Sequence, residues 1–401
     1  MGARIYVSAA LIGVVSVALG YSMHLVAGRG TIWGITTGES KLGGLFWRAI
    51  GLPVDQLTYY RQFRLMNPLE DPTQAIVLSV LIGGLSASML TKSFAVRHFP
   101  NRWMAVQAVL GGFLLGYGAR LAFGCNIGNF LSGWATGGVH AAVFTATLLP
   151  GTWAGFRLTE ALFATRAAPR RYSVTLPLRA QRWLGLGVVA SSLALVPLMS
   201  PLVAVWWVAG IAFGALGWVS SICFASCYRD MVAPRYAGGV MVKAVAIALL
   251  TYSTGVLGLQ LSGVPFALTP PQVGVLHLLI GGLVFGLGIG IAGSCIFSTE
   301  WRTGGGSVYS ALVLLSTIVL GMPALSFHYD WWLNVLPQEP KPFTLYSFSP
   351  LLGYLAPLSF SIALMIYGIY ADPTTRYALS SRLGARFFSR NRPTPQNGAS
   401  I

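Results

Sequence analysis

The stretches "GGFLLGYGARLAFGC" (residues 111–125) and "GGLVFGLGIGIAGSC" (281–295) decide how this chain folds. Shifted by 170 positions, Gly111, Gly112, Gly116, Gly118, Ala122 and Cys125 fall on Gly281, Gly282, Gly286, Gly288, Ala292 and Cys295. Six identities in fifteen, closing on one of only four cysteines in 401 residues, mark two copies of one plan. Within each copy the small residues fall at spacings of seven, four and three, so they share one helix face. Such a face lets membrane helices approach closely. That accounts for the glycines but not for a cysteine at the end of both copies.

The surrounding composition is that of a membrane protein. The chain is 55% hydrophobic and 9% charged, with mean hydropathy +0.67, whereas a soluble domain carries roughly a quarter charged residues. Ten apolar stretches are long enough to cross a bilayer: about 5–27, 74–96, 103–123, 138–157, 183–198, 201–219, 237–262, 273–293, 306–327 and 349–370. The fifth is short and can join the sixth across Pro201 as a broken hairpin. We therefore expect an all-α polytopic membrane protein with no sheet, because lipid-facing backbone must satisfy itself within helices. The first stretch reads as a span rather than a leader, being long and followed by Gly28-Arg29-Gly30. The net charge of +16 does not call for nucleic acid. The basic residues lie in loops and in the tail, where lipid and topology explain them.

With a cytoplasmic N-terminus, 19 of the 26 basic residues fall in cytoplasmic segments, and the excess recurs in loop after loop. This is the positive-inside pattern, and it predicts both termini inside. The span ending at Cys125 then runs outward and the span ending at Cys295 inward. Two copies related in this way form an inverted-topology repeat, a transporter signature with the substrate site near the midplane. The expected organisation is a membrane half 1–157, a basic cytoplasmic linker 158–182, a membrane half 183–372 and a disordered basic cytoplasmic tail 373–401. A bacterial inner membrane is the expected setting.

After each cysteine the apolar pattern fails, in "NIGNFLSGWATGG" (126–138) and "IFSTEWRTGGG" (296–306). Irregular backbone survives at membrane depth only inside protein or along a cavity. Cys125 and Cys295 are therefore expected at the ends of broken or re-entrant helices facing a central pathway; the alternative is an ordinary surface loop. Cys223 and Cys227, in "GWVSSICFASCYRDM" (217–231), are one turn apart on one helix face. That spacing suits a disulfide poorly. The five histidines are scattered, so no metal site and no cofactor are expected. Arg120, Asn126, Glu300 and Arg302 lie within the apolar frame, where polar groups face pathways or pair. Arg120 is the candidate for holding an anion, and Glu300 is expected to pair with Arg302.

Three motifs carry a resemblance. "GARLAFGCNIGNFLSG" (118–133), "ICFASCYRDM" (222–231) and "AGSC" (292–295) followed by Trp301-Arg302 resemble the YeeE/YedE family of thiosulfate and sulfur-transport membrane proteins. The likeness extends to "GRGTIWGITTGE" (28–39) and is strongest to the longer YedE type, linked to selenium metabolism. It implies a permease for a small inorganic sulfur or selenium anion, with Cys125, Cys223 and Cys295 along the substrate path. It also implies a cytoplasmic partner of the TusA-like sulfur-carrier type at the Arg229 to Arg235 surface. Competing classes are a membrane thiol oxidoreductase and an accessory subunit with inert thiols.

Overall fold

The computed structural model describes residues 2–98, 101–163, 172–232, 238–267 and 273–372. The expected tail 373–401 and residues 164–171 of the expected linker lie outside the described residues.

The apolar stretches form helices with conventional starts and stops. Helix α1 is Gly2–Ala27, α2 Thr36–Ala49, α3 Thr58–Gln62, α4 Pro72–Leu90 and α5 Arg102–Leu121. A π-helix at Asn126–Ser132 leads into α6, Gly133–Ala135, and α7, Val139–Phe163. There follow α8 Leu178–Ala194, α9 Pro201–Ser220, α10 Phe224–Val232 and α11 Val240–Leu261. Next come α12 Val275–Ala292, α13 Ile296–Gly304 and α14 Val308–Leu315, the last running through a second π-helix, Ser316–Gly321, into α15, Met322–Val335. Helix α16 is Pro350–Ala371. Asp71, Ser200 and Ser349 cap α4, α9 and α16, each with proline in the first turn, where a missing N–H costs nothing.

Among the described residues, nine helices are long and apolar enough to cross a membrane. The tenth expected span is α7, 25 residues long, with Pro150 inside it and Arg157 and Glu160 toward its C-terminal end. The stretch 183–198 is a helix of its own, α8, separated from α9 by a single turn at Val196–Leu198. Trp207 Nε1 ties the two together by donating to the Ser192 carbonyl at 3.1 Å.

The repeat dictates the central packing. An ideal Cβ on Gly111 would lie 2.6 Å from the Ala292 nitrogen, and one on Gly288 would lie 2.6 Å from the Leu115 nitrogen. Gly281 meets Ala122 at 2.5 Å, and Gly118 meets Phe285 with as little room. In all four pairs the two residue numbers have the same sum, so α5 and α12 run antiparallel. Under the 170-residue shift, Gly111–Ala292 becomes Gly281–Ala122, and Gly118–Phe285 becomes Gly288–Leu115. Equivalent helices therefore cross about a local twofold axis as a self-complementary contact.

Around this pair the packing repeats: α1 lies on α11 as α9 lies on α4, and α16 lies on α11 as α8 lies on α4. The parallel run of α4 with α9 and of α7 with α12, read from their glycine contacts, agrees with ten consecutive crossings. One expectation is corrected. Short strands do occur, β1 Gly30–Thr31 beside β4 Phe266–Ala267 and β2 Ala95–Arg97 beside β3 Ser173–Thr175. They pair connecting segments rather than spans, and each joins two connections that alternation puts on the same side.

Gly288→Val should be destabilising by about 1–3 kcal/mol or more, since the facing backbone cannot yield, whereas Gly187→Ala on α8, with open space around it, should be neutral. Unfolding midpoints of the purified variants check this.

Candidate functional site

Three cysteines sit at three copies of one turn. Phe123, Ser221 and Gly293 have φ of 54°, 54° and 62°, each two residues before a cysteine. A left-handed residue stops the helix, and for Phe123 and Ser221 it does so at a steric cost of about 1–2 kcal/mol. The chain then enters a short buried segment. Cys125 heads the π-helix, Cys223 directly precedes α10, and Cys295 heads α13. All four cysteines, Cys227 included, are buried and unpaired by disulfide. The re-entrant expectation for Cys125 and Cys295 thus describes the backbone at both, and the same turn recurs at Cys223.

The thiols act as caps. Cys125 Sγ accepts from the Ile127 N–H at 3.4 Å, and Cys295 Sγ accepts from the Ser298 N–H at 3.4 Å. Ser298 Oγ in turn accepts from the Cys295 N–H at 3.1 Å, closing a capping box. The same hydroxyl receives the Cys223 thiol at 3.2 Å. Two cysteines distant in sequence therefore converge on one serine. Tyr228, buried on α10 with no hydrogen-bond partner for its hydroxyl, lies within electrostatic range of all four thiols. Cys227 lies on α10, one turn beyond Cys223.

Arg120 ends α5 and is 1% exposed. Its guanidinium lies 5.1 to 5.3 Å from the ring centroids of Phe123, Phe63 and Tyr59. Nη1 donates to Thr36 and Thr37 hydroxyls at 3.4 Å, while Nε and Nη2 find no partner on the protein. Asn126 is buried with both side-chain polar atoms unpartnered. Unpaired donors in an enclosed setting are costly, so this end of the molecule is equipped to receive an acceptor-rich ligand.

The expected Glu300–Arg302 pair does not form. Two residues apart on α13, the side chains project about 200° apart around the helix. Glu300 is enclosed with neither oxygen hydrogen-bonded. Arg302 points away, 5.0 Å over the Trp301 ring. With Arg97, Ser221, Trp218 and Ser307 it lines a cavity of about 470 Å³, at the end of the bundle opposite Arg120. Sequence reasoning also missed Glu39, one turn into α2, which is fully enclosed, unpartnered and acted on by Arg120. Its segment is too polar to read as membrane-embedded. The available signal was an acid in the glycine-rich "GITTGES" (34–40) directly before an apolar run.

A bundle of apolar helices around a twofold-related pair, with short helices headed by buried thiols, defines a multi-pass all-α membrane protein. This chain belongs to the sulphur-transport family, whose profile matches residues 2–154 and 219–395. It is 29% identical over 355 residues to the "Probable transporter YedE" of Salmonella typhimurium, covering 84% of this chain and 87% of that protein. Its counterpart from Escherichia coli K12 is 28% identical over 354 residues, with the same shares covered. The "Thiosulfate transporter TsuA" of Spirochaeta thermophila is 29% identical over 131 residues, 33% of this chain and 37% of that one. No solved structure matches the chain.

Proposed function

We propose that the protein is a permease importing a small reduced-sulfur anion such as thiosulfate, or a related sulfur or selenium species, across a bacterial inner membrane. The observation that carries this reading is the threefold repetition of a helix stop followed two residues later by a buried cysteine, in a chain of the sulphur-transport family. A similar protein bears the name of a thiosulfate transporter, which supports the choice of anion.

In this reading Arg120 and Asn126 receive the anion at one end. Cys125, Cys295 and Cys223 then pass it on through S–H contacts, each weak enough to release it, as multi-site conduction requires. The cavity with Arg97 and Arg302 is the exit on the cytoplasmic side. No bond of the anion is made or broken, so the protein is not an enzyme. The matched packing of α8 and α16 supports drawing the boundary between halves after α8, near Ser200, rather than within 158–182. A TusA-like carrier would dock near Arg229 and Arg235, the latter outside the described residues. One observation favours a second reading, a thiol oxidoreductase: Cys223 and Cys295 share Ser298 and could pair. Uptake into sealed vesicles separates the two readings.

Cys125→Ala should abolish thiosulfate uptake by cells with the protein still in the membrane, Cys223→Ala and Cys295→Ala should weaken or abolish it, and Cys227→Ala should matter least. Normal uptake by all four variants would make these thiols packing residues. Arg120→Lys keeps the charge but loses the planar fork, so apparent affinity should fall, and Arg120→Gln should lose more. Unchanged affinity with less folded protein would make the arginine structural. For orientation, an impermeant thiol reagent added outside should label Val335→Cys and spare Arg170→Cys in a background without other cysteines; the reverse pattern would invert the topology.

A further inference from the structure

Two acidic side chains take no part in the path described above, and both are wholly enclosed. Glu39 on α2 and Glu300 on α13 are each 0% exposed. Their four carboxylate oxygens are buried with no hydrogen-bond partner on the protein. They belong to different halves of the chain, yet they lie within electrostatic range of each other and of the Cys125 thiol.

Compensating charge is scarce around them. Arg120 on α5 acts on Glu39. Lys41, two residues further along α2, is engaged at 2.5 Å by Asp71. Helix α4 and the π-helix Ser316–Gly321, both against α2, carry no ionisable residue. On the turn Val54–Gln56, also against α2, Asp55 faces Arg48 at 3.6 Å, and from α3, Tyr59 and Tyr60 turn to Ser40. Helix α15 contributes His328, Tyr329 and Asp330, which bond to Tyr117, Gln62 and Thr58 instead. Against α13, helices α4 and α9 and the π-helix Asn126–Ser132 again carry none. Tyr309 of α14 donates to the Ala292 carbonyl at 3.0 Å. Arg302, on α13 itself, lies over Trp301. Arg120 thus offsets Glu39 alone, no cation acts on Glu300, and a water-poor interior disfavours two negative charges there.

We propose that Glu39 and Glu300 are a proton-carrying pair, and that the anion crosses together with protons held on these two carboxyls. The proposal rests on the transport reading above. Each carboxylate takes a proton from the outer solution and releases it to the cytoplasm, and no bond within the anion changes. Two protons match the two charges of a dianion, so the complex that crosses carries no added charge against an inside-negative potential. Cys125, on which both carboxyls act, is the point where proton and anion share one enclosure.

The test uses the full-length protein in liposomes with radiolabelled thiosulfate as probe. An inward proton gradient should raise the initial rate of wild-type uptake several-fold. Glu300→Gln, isosteric with the native side chain, should lose that response while retaining thiosulfate exchange without a gradient, and Glu39→Gln should blunt it too. Wild-type uptake indifferent to the gradient would overturn the proposal, as would a full response in both variants. Infrared spectra give a readout independent of transport. The wild type at neutral pH should show the carbonyl stretch of a protonated carboxyl that Glu300→Gln or Glu39→Gln removes; its absence from the wild type would also overturn the proposal. If wild-type liposomes take up no thiosulfate under either condition, the transport reading fails, and the infrared comparison still decides whether the pair holds protons.

Discussion

The antiparallel contact of α5 with α12 is the constraint on which the rest of the structure depends. In lipid no hydrophobic force draws helices together, so close packing has to supply the attraction. Glycine at 111, 118, 281 and 288 brings each backbone against the other, with distances that no side chain could occupy. Because the contact maps onto itself under the 170-residue shift, whatever the first half builds at one end of the bundle the second half builds at the opposite end. The paired packing of α1 on α11 and α9 on α4 follows the same twofold relation in space, although the 170-residue shift carries the numbers of α1 onto α8.

Ending helices inside a membrane has a cost, since each stop releases backbone groups that lipid cannot satisfy. Here side chains take up several of them. Asn129 donates to the Ala122 carbonyl at 2.8 Å and Ser132 to the Trp33 carbonyl at 2.8 Å. Thiols cap the segments that follow. A thiol is a weaker acceptor than the hydroxyl or carboxylate usually found at such positions. Caps of this kind hold a short helix in place through weak bonds.

The scaffold is symmetric but its charges are not. The position equivalent to Arg120 is Gly290, and the position equivalent to Glu300 is Phe130. One end therefore carries a guanidinium among three aromatic rings and the other a cavity with two arginines beside tryptophans. That inequality comes from different residues at equivalent positions of a repeated frame.

The glycine repeat, the alternation of apolar stretches and the basic loops were enough to predict an all-helical membrane protein with two inverted copies, because these features are periodic and local. The same holds for the placing of Cys125 and Cys295 at helix ends, since loss of apolar pattern follows each directly. Contacts between segments far apart in sequence were not legible. Nothing near Cys223 announces that it meets Cys295 on Ser298, and nothing near Glu39 announces Glu300. Re-entrant segments share the polarity of surface loops, so hydropathy puts Glu39 outside when tertiary packing encloses it. The Glu300–Arg302 expectation failed for a geometric reason: two residues apart, the side chains leave the helix in nearly opposite directions, and only the surrounding helices decide what each one meets.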